Sequence, residues 1–227
     1  MKDDMIKIVV KVEISVLLDD RGRFDPRKME RLSMVLANVA NSGAAILIVT
    51  SGAIFLGSKK LGLECQPAAL VDKQAVAAAG QAELMKRYRQ YFEGYNRTVA
   101  QVLLTGDIFA DAEKSRNARN TLLYLLELGV IPVINENDSV STEDIELNDN
   151  YYLVRSVAAL TGAHLVLIKA KKPDLYIFLK GGEATEPRFI REKELTDEIA
   201  LMAPALLREP SPGQAFPASL DKKLLEV

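Results

Sequence analysis

The chain is poor in the residues that carry thiol and metal chemistry. Its 227 residues include one cysteine, Cys65, and one histidine, His164. A single thiol closes no intramolecular disulfide, and a lone cysteine fits a reducing cytoplasm. A Cys/His catalytic pair would need these two residues to meet. His164 opens an apolar run, HLVLIKA, which favours a structural role for it. Metal-ligand spacings of the CxxC or HExxH kind are absent, so no metal site is expected. Neither sign of charge dominates: 29 basic residues face 31 acidic ones, for a net charge of −2. That balance argues against a nucleic-acid or membrane-surface role driven by bulk electrostatics. The first residues, MKDDMIKIVV, hold no apolar run long enough for a signal peptide or a membrane span. There is no internal repeat and no low-complexity block.

What is present is ordinary for a globular chain: 48% hydrophobic and 26% charged residues. The length supports one sizeable core, and residues 1–227 are expected to form a single domain. Short, nearly all-apolar runs alternate with helical patterns. The predicted strands are Lys7–Val12, Ala44–Thr50, Thr98–Leu104, Val130–Ile134 and His164–Ala170, with Leu175–Leu179 as a further candidate. Predicted helices start at Asp25-Pro26, a cap followed by a first-turn proline, and after the turn Ser51-Gly52-Ala53. Others cover Pro67–Tyr95, Glu113–Leu128, Tyr151–Leu160 and Glu194–Leu207. Strands without an exposed face, alternating with helices, predict an α/β fold with a mainly parallel sheet covered on both sides. The helical stretch AVAAAGQAEL is rich in small residues. It reads either as a close helix contact or as an ordinary core helix.

The richest stretch chemically is IPVINENDSVSTEDIELNDN, residues 131–150. An apolar strand gives way at Asn135 to Glu136, Asn137 and Asp138, and a second cluster, Asn148-Asp149-Asn150, opens a helix. Ligands of open α/β sheets bind beyond the carboxyl ends of the strands, where amides and carboxylates recognise ammonium and hydroxyl groups. The same residues also suit turns and helix caps, and both readings stand at this point.

Several runs together resemble the glutamate 5-kinases of the amino-acid kinase superfamily. They are VVKV (9–12), VTSGA (49–53), KQAVAAAGQ (73–81), AQVLLT (100–105), NARNTL (117–122), IPVINEND (131–138) and Asp149-Asn150. The resemblance implies a three-layer α/β/α sandwich with a mainly parallel central sheet, C-terminally shortened. It implies transfer of the ATP γ-phosphoryl, with Mg, to the side-chain carboxylate of L-glutamate, the first step of proline biosynthesis. It further implies a cytoplasmic homo-oligomer that takes glutamate as substrate, with proline a candidate regulator, and involves neither nucleic acid nor membrane. By resemblance, Lys11 and Lys223 are the catalytic lysines, while Ser51, Asn135, Asp138, Asp149 and Asn150 hold the substrate. The expected alternatives for Lys11 and Ser51 are a solvated strand end and a helix cap.

This sequence departs from the family pattern on the phosphate side. Glu13 and Ile14 stand where the family has a glycine and a hydroxyl residue, and Tyr151 replaces the last aspartate of an Asp-Asn-Asp triplet. Gly106 replaces an arginine, and Lys169-Ala170 replaces a threonine–aspartate pair. Before Lys223, Phe216-Pro217-Ala218-Ser219 stands in place of a glycine-rich loop. Glycine lets backbone N–H groups approach phosphate, whereas Glu13 sets a carboxylate against a polyanion. The family's frequent C-terminal PUA domain has no counterpart here. Three expectations follow: a glutamate 5-kinase relative impaired in catalysis with its glutamate motifs retained; an active kinase with an atypical nucleotide site, its donor lysine supplied for instance by Lys169; and a non-catalytic interaction or amino-acid-sensing subunit.

Overall fold

The computed structural model describes residues 5–141, 150–169, 175–180 and 188–206. Among these residues, seven strands form one sheet in the order β3-β4-β2-β1-β5-β6-β7. β1 (Lys7–Val12), β2 (Ala45–Thr50), β3 (Val99–Leu104), β4 (Ile131–Glu136) and β5 (Leu165–Lys169) run parallel. β6 (Leu175–Lys180) and β7 (Arg188–Arg191) add an antiparallel edge. The fold is the mainly parallel α/β sandwich that the alternation predicts.

Period-two alternation explains why the central strands contain hardly any polar residues. Ile8, Val10 and Val12 of β1 face one core, with Ile46, Ile48, Val133, Leu165 and Leu167. Val9 faces a second core with Leu47, Val49, Ile134 and Val166. The first core is closed by α1 (Pro26–Asn41), α3 (Leu70–Glu93) and α7 (Leu195–Leu206). The second is closed by α5 (Ala112–Glu127) and α6 (Tyr151–Thr161). α1 starts as predicted: Pro26 fills its first turn and the Asp25 carboxylate accepts from the Arg27 N–H at 2.9 Å.

The prediction misses the end of β4 and two short elements, for reasons the local pattern could not carry. β4 runs on past Ile134 through Asn135 and Glu136, because Leu103 and Leu104 of β3 pair with them and both side chains are buried. A five-residue helix, α4 (Gly106–Ala110), follows β3 and is too short to show a period. β7 is only four residues long, and its pairing with β6 identifies it as a strand.

The small-residue stretch of α3 makes a close helix contact within the chain. α3 crosses α2 (Ala53–Lys60) where Gly80 meets Ala53 and Gly57. A Cβ on Gly80 would lie 1.8 Å from the Ala53 carbonyl oxygen, and one on Gly57 would lie 2.0 Å from that of Val76. The obstacles are backbone atoms, so no rotamer change relieves them. Gly80→Ala is expected to cost about 2 kcal/mol or more and to lower Tm by about 5 °C or more. Gly94, at the end of α3, has right-handed backbone, and a Cβ there would meet only the Tyr91 carbonyl oxygen at 3.4 Å, an ordinary van der Waals contact, so Gly94→Ala should leave Tm unchanged or raise it slightly. Thermal unfolding of the two variants checks this, and equal melting points would rule out the contact.

His164 has the structural role its position implies. It joins the start of β5 to β1: its N–H donates to the Lys7 carbonyl at 2.9 Å, and its Nδ1 accepts from the Lys7 N–H at 3.2 Å. Burial, reinforced by the Lys7 charge, lowers its pKa below the ordinary 6.5. The folded state therefore holds the imidazole neutral while the unfolded state takes up the proton. Stability supplied by this seam is present above about pH 6.5 and declines as pH falls below that value. As the only histidine in the chain, His164 gives one imidazole resonance by proton NMR. Its midpoint is expected below 6.5, and a midpoint at or above that value would contradict the seam.

Candidate functional site

A cavity of about 330 Å³ opens at the carboxyl ends of β1, β2 and β4. Lys11, Ser51, Asn135, Asp138 and Asn150 all line it. Five residues from three strand ends and a helix start thus converge, as the strand-end rule anticipates. Asp149, Ala170 and Lys223 lie outside the described residues, as does the stretch 216–219. Gly106 begins α4 beside Tyr152 and is not part of the lining.

The loops after β1 and β2 pack on each other. Gly52 has a φ of +111°, which glycine adopts without strain, and a Cβ there would come 2.7 Å from the Ile14 Cβ. Ile14 thus lies directly over Gly52. The Ile14 N–H donates to Ser51 Oγ at 3.2 Å. The cap position of α2 belongs to Gly52 and no side chain caps that helix, so Ser51 is not its cap. Ser51 accepts through its oxygen and retains one O–H to donate into the cavity.

Lys11 is buried, with 3% of its side chain exposed. Its ammonium donates to Glu13 Oε1 at 2.5 Å and lies 3.4 Å from the centroid of the Tyr151 ring. It is therefore not a solvated strand end. The carboxylate and ring that hold it belong to two of the residues that depart from the family pattern. The Glu13 side chain is 42% exposed and sits on the rim.

Asn135 and Asn150 belong to a buried amide network. Asn150 Nδ2 donates to the Thr50 carbonyl at 2.7 Å and to Asn135 Oδ1 at 3.4 Å. Asn135 Nδ2 donates in turn to Gln81 Oε1 of α3 at 2.9 Å. Asn150 occupies the cap position of α6 but makes no capping hydrogen bond, so cap chemistry does not account for it. Two further α3 residues bond to the same region. Thr50 Oγ1 and Tyr88 Oη are 2.8 Å apart, and Gln74 Nε2 donates to the Ser141 carbonyl at 3.2 Å. Burial raises the Tyr88 phenol pKa well above its ordinary value, with the Thr50 hydrogen bond opposing. Residue-by-residue reading of the sequence misses Gln81, Gln74 and Tyr88. Their common signal is a polar stripe at seven-residue spacing, which returns to nearly the same face of a helix.

Lys169 does not join this site. Lys11 pairs with Ile168, so the next residue of β5 projects from the other face of the sheet. Lys169 lines a separate cavity of about 140 Å³ against α1, with Val16, Leu17, Arg27, Lys28 and Arg31. An atypical donor lysine supplied by Lys169 is therefore not placed beside Lys11.

Residues 7–177 match the model of the amino acid kinase family. The chain is 39% identical over 204 residues to a glutamate 5-kinase of Listeria welshimeri, covering 87% of this chain and 73% of the relative. It is 41% identical over 180 residues to a glutamate 5-kinase of Citrifermentans bemidjiense, covering 78% of this chain and 48% of the relative. It therefore spans about half the length of the latter. A crystal structure of UMP kinase from Bacillus anthracis aligns with 72% of this chain and 64% of its own, at 16% identity and a TM-score of 0.47.

Proposed function

The chain belongs to the amino acid kinase family, among its glutamate 5-kinases, and on that basis we propose that it binds glutamate while its phosphotransfer half is impaired. The observation that carries this reading is the environment of Lys11. A lysine that neutralises a transferred phosphoryl group must direct its ammonium at the substrate. Here the ammonium meets the Glu13 carboxylate at 2.5 Å and lies over the Tyr151 ring. A phosphate entering the same space would face Glu13, and like charges about 4 Å apart cost on the order of 1 to 4 kcal/mol in a partly solvated setting. Ile14 also lies over the Gly52 backbone, which limits the approach of a phosphate to that loop.

The amino-acid half has the chemistry an amino acid needs. Asp138 offers a carboxylate to the ligand ammonium, Ser51 offers a hydroxyl proton, and Asn150 offers its amide oxygen. The residues present fit magnesium-bound nucleotide poorly. The Glu13 carboxylate at the rim is bonded to Lys11, and Ile14 lies over the Gly52 backbone where a phosphate would approach. No step is therefore assigned to a metal or to ATP. With this reading go proline as a competitor for the amino-acid pocket, a homo-oligomeric assembly and a cytoplasmic setting. Among the described residues no helix is long and apolar enough to cross a membrane.

Calorimetry with glutamate and a coupled phosphotransfer assay on the purified chain test the proposal. Glutamate is expected to bind. Turnover is expected at least about 10²-fold below the 1–100 per second of ordinary kinases. The triple reversion Glu13→Gly, Ile14→Thr, Tyr151→Asp should strengthen ATP binding. Turnover in the ordinary range for the unmodified chain would overturn the impaired-kinase reading. A protein that binds no glutamate would overturn the amino-acid reading.

A further inference from the structure

We infer that Glu13 is a specificity-determining residue that turns this pocket from an acidic amino acid towards one with an uncharged side chain, such as glutamine. The identity of the ligand rests on the amino-acid reading above; the electrostatic half of the inference does not. Among the described residues that line the cavity, Lys11 is the one cation, and Glu13 and Asp138 are carboxylates. One formal positive charge thus stands against two negative ones, whatever hydrogen bonds each group makes. Glutamate brings two carboxylates and one ammonium, and glutamine brings one of each. The second carboxylate of glutamate is therefore the group for which the lining must provide a cation.

Lys11 is the cation that carboxylate would need, and it is engaged. Its ammonium donates to Glu13 Oε1 at 2.5 Å and lies 3.4 Å from the centroid of the Tyr151 ring. The other Glu13 oxygen, Oε2, accepts a long hydrogen bond from Ser15 Oγ at 3.4 Å. Glu13 thus occupies the place of a ligand carboxylate: it is the same chemical group, at hydrogen-bond distance from the same ammonium. A second carboxylate from glutamate must displace it or lie beside it, where like charges repel. A side-chain amide meets neither penalty. It has nearly the shape of the carboxylate, and its N–H groups can donate to a carboxylate that repels an anion. Glutamate remains a ligand, and the preference is for its amide. The Glu13 side chain is 42% exposed, so it can be replaced without opening either core.

Calorimetry with glutamine and glutamate, which differ by one charge at nearly constant volume, tests this on the unmodified chain and on Glu13→Gln. The variant removes the charge and keeps an oxygen that can accept from Lys11. The unmodified chain is expected to bind glutamine about fivefold more tightly than glutamate. Glu13→Gln is expected to move that ratio at least about tenfold towards glutamate. Any loss of stability acts on both ligands alike, so the ratio isolates the charge. A merely structural role for Glu13, as the group that holds Lys11 in place, predicts that both affinities fall together at an unchanged ratio. That result would overturn the inference, as would tighter binding of glutamate than of glutamine by the unmodified chain.

A second measurement needs no amino acid. Acetate, a carboxylate without an ammonium, is titrated at constant ionic strength while the Lys11 side-chain resonances are followed by NMR. Acetate should shift them saturably in Glu13→Gln, and should bind at least about tenfold more weakly to the unmodified protein. Equal responses in the two proteins, or none in either, would overturn the inference. A Glu13-dependent acetate response in a protein that binds neither glutamine nor glutamate would uphold the electrostatics and count against the amino-acid reading alone.

Discussion

Gly57 and Gly80 let α2 and α3 approach until backbone meets backbone, and the rest of the site depends on that approach. α3 is a long helix outside the pocket lining. Three of its polar residues, Gln74, Gln81 and Tyr88, reach the segment after β4, the end of β4 and the end of β2. Each bond is local, yet all three need α3 at one depth and one rotation. Side chains between two helices usually leave some freedom to slide. A contact made of carbonyl oxygens, amides and glycines leaves little, because interiors are close-packed and no flexible atom can yield. These three buried bonds thus depend on a helix crossing that lies outside the pocket lining.

The electrostatics of the strand ends follow from which face each residue takes. Lys11 and Lys169 are both buried cations at the carboxyl ends of neighbouring strands, but they lie on opposite faces of the sheet. Only Lys11 enters the pocket, and there it meets Glu13 and Tyr151. Two residues that look like separate departures from a family pattern, Glu13 and Tyr151, share one contact set around Lys11. The carboxylate and the aromatic face together stabilise the ammonium where a phosphate would otherwise do so. Glu13 and Tyr151 thus hold the same ammonium from two sides.

Most of the fold could be read from the sequence because its central strands are apolar on both faces, a pattern that needs no partner to be recognised. The five parallel strands lie where the alternation placed them. What escaped was set by pairing over long distances. Asn135 and Glu136 look like a strand's end because they are polar, but they belong to β4, and the reason is their pairing with Leu103 and Leu104 of β3. α4 was too short for a period, and β7 is recognisable only beside β6. In the site, the motif runs identified Lys11, Ser51, Asp138 and Asn150, and the cavity gathers them. Motif spacing does not say which face a residue takes, so Lys169 was a reasonable candidate until the register of β1 and β5 excluded it from the pocket. The polar stripe on α3 was present in the spacing of Gln74, Gln81 and Tyr88, but within a run of alanines it reads as ordinary helix surface.

The two half-sites also differ in how much sequence change they tolerate. The part of the pocket formed by Asn135 and Asn150 is tied to α3, so altering Gln81 or Gly80 disturbs buried bonds or backbone contacts, the class of change that costs several kcal/mol at its worst. The part formed by the loop after β1 carries Glu13, whose side chain is on the rim. Substitutions at such positions usually move stability by no more than about 0.5 kcal/mol. Random change therefore accumulates more easily on one side of the cavity than on the other. Under relaxed selection the loop after β1 would therefore change first, and the bonds around Asn135 and Asn150 last.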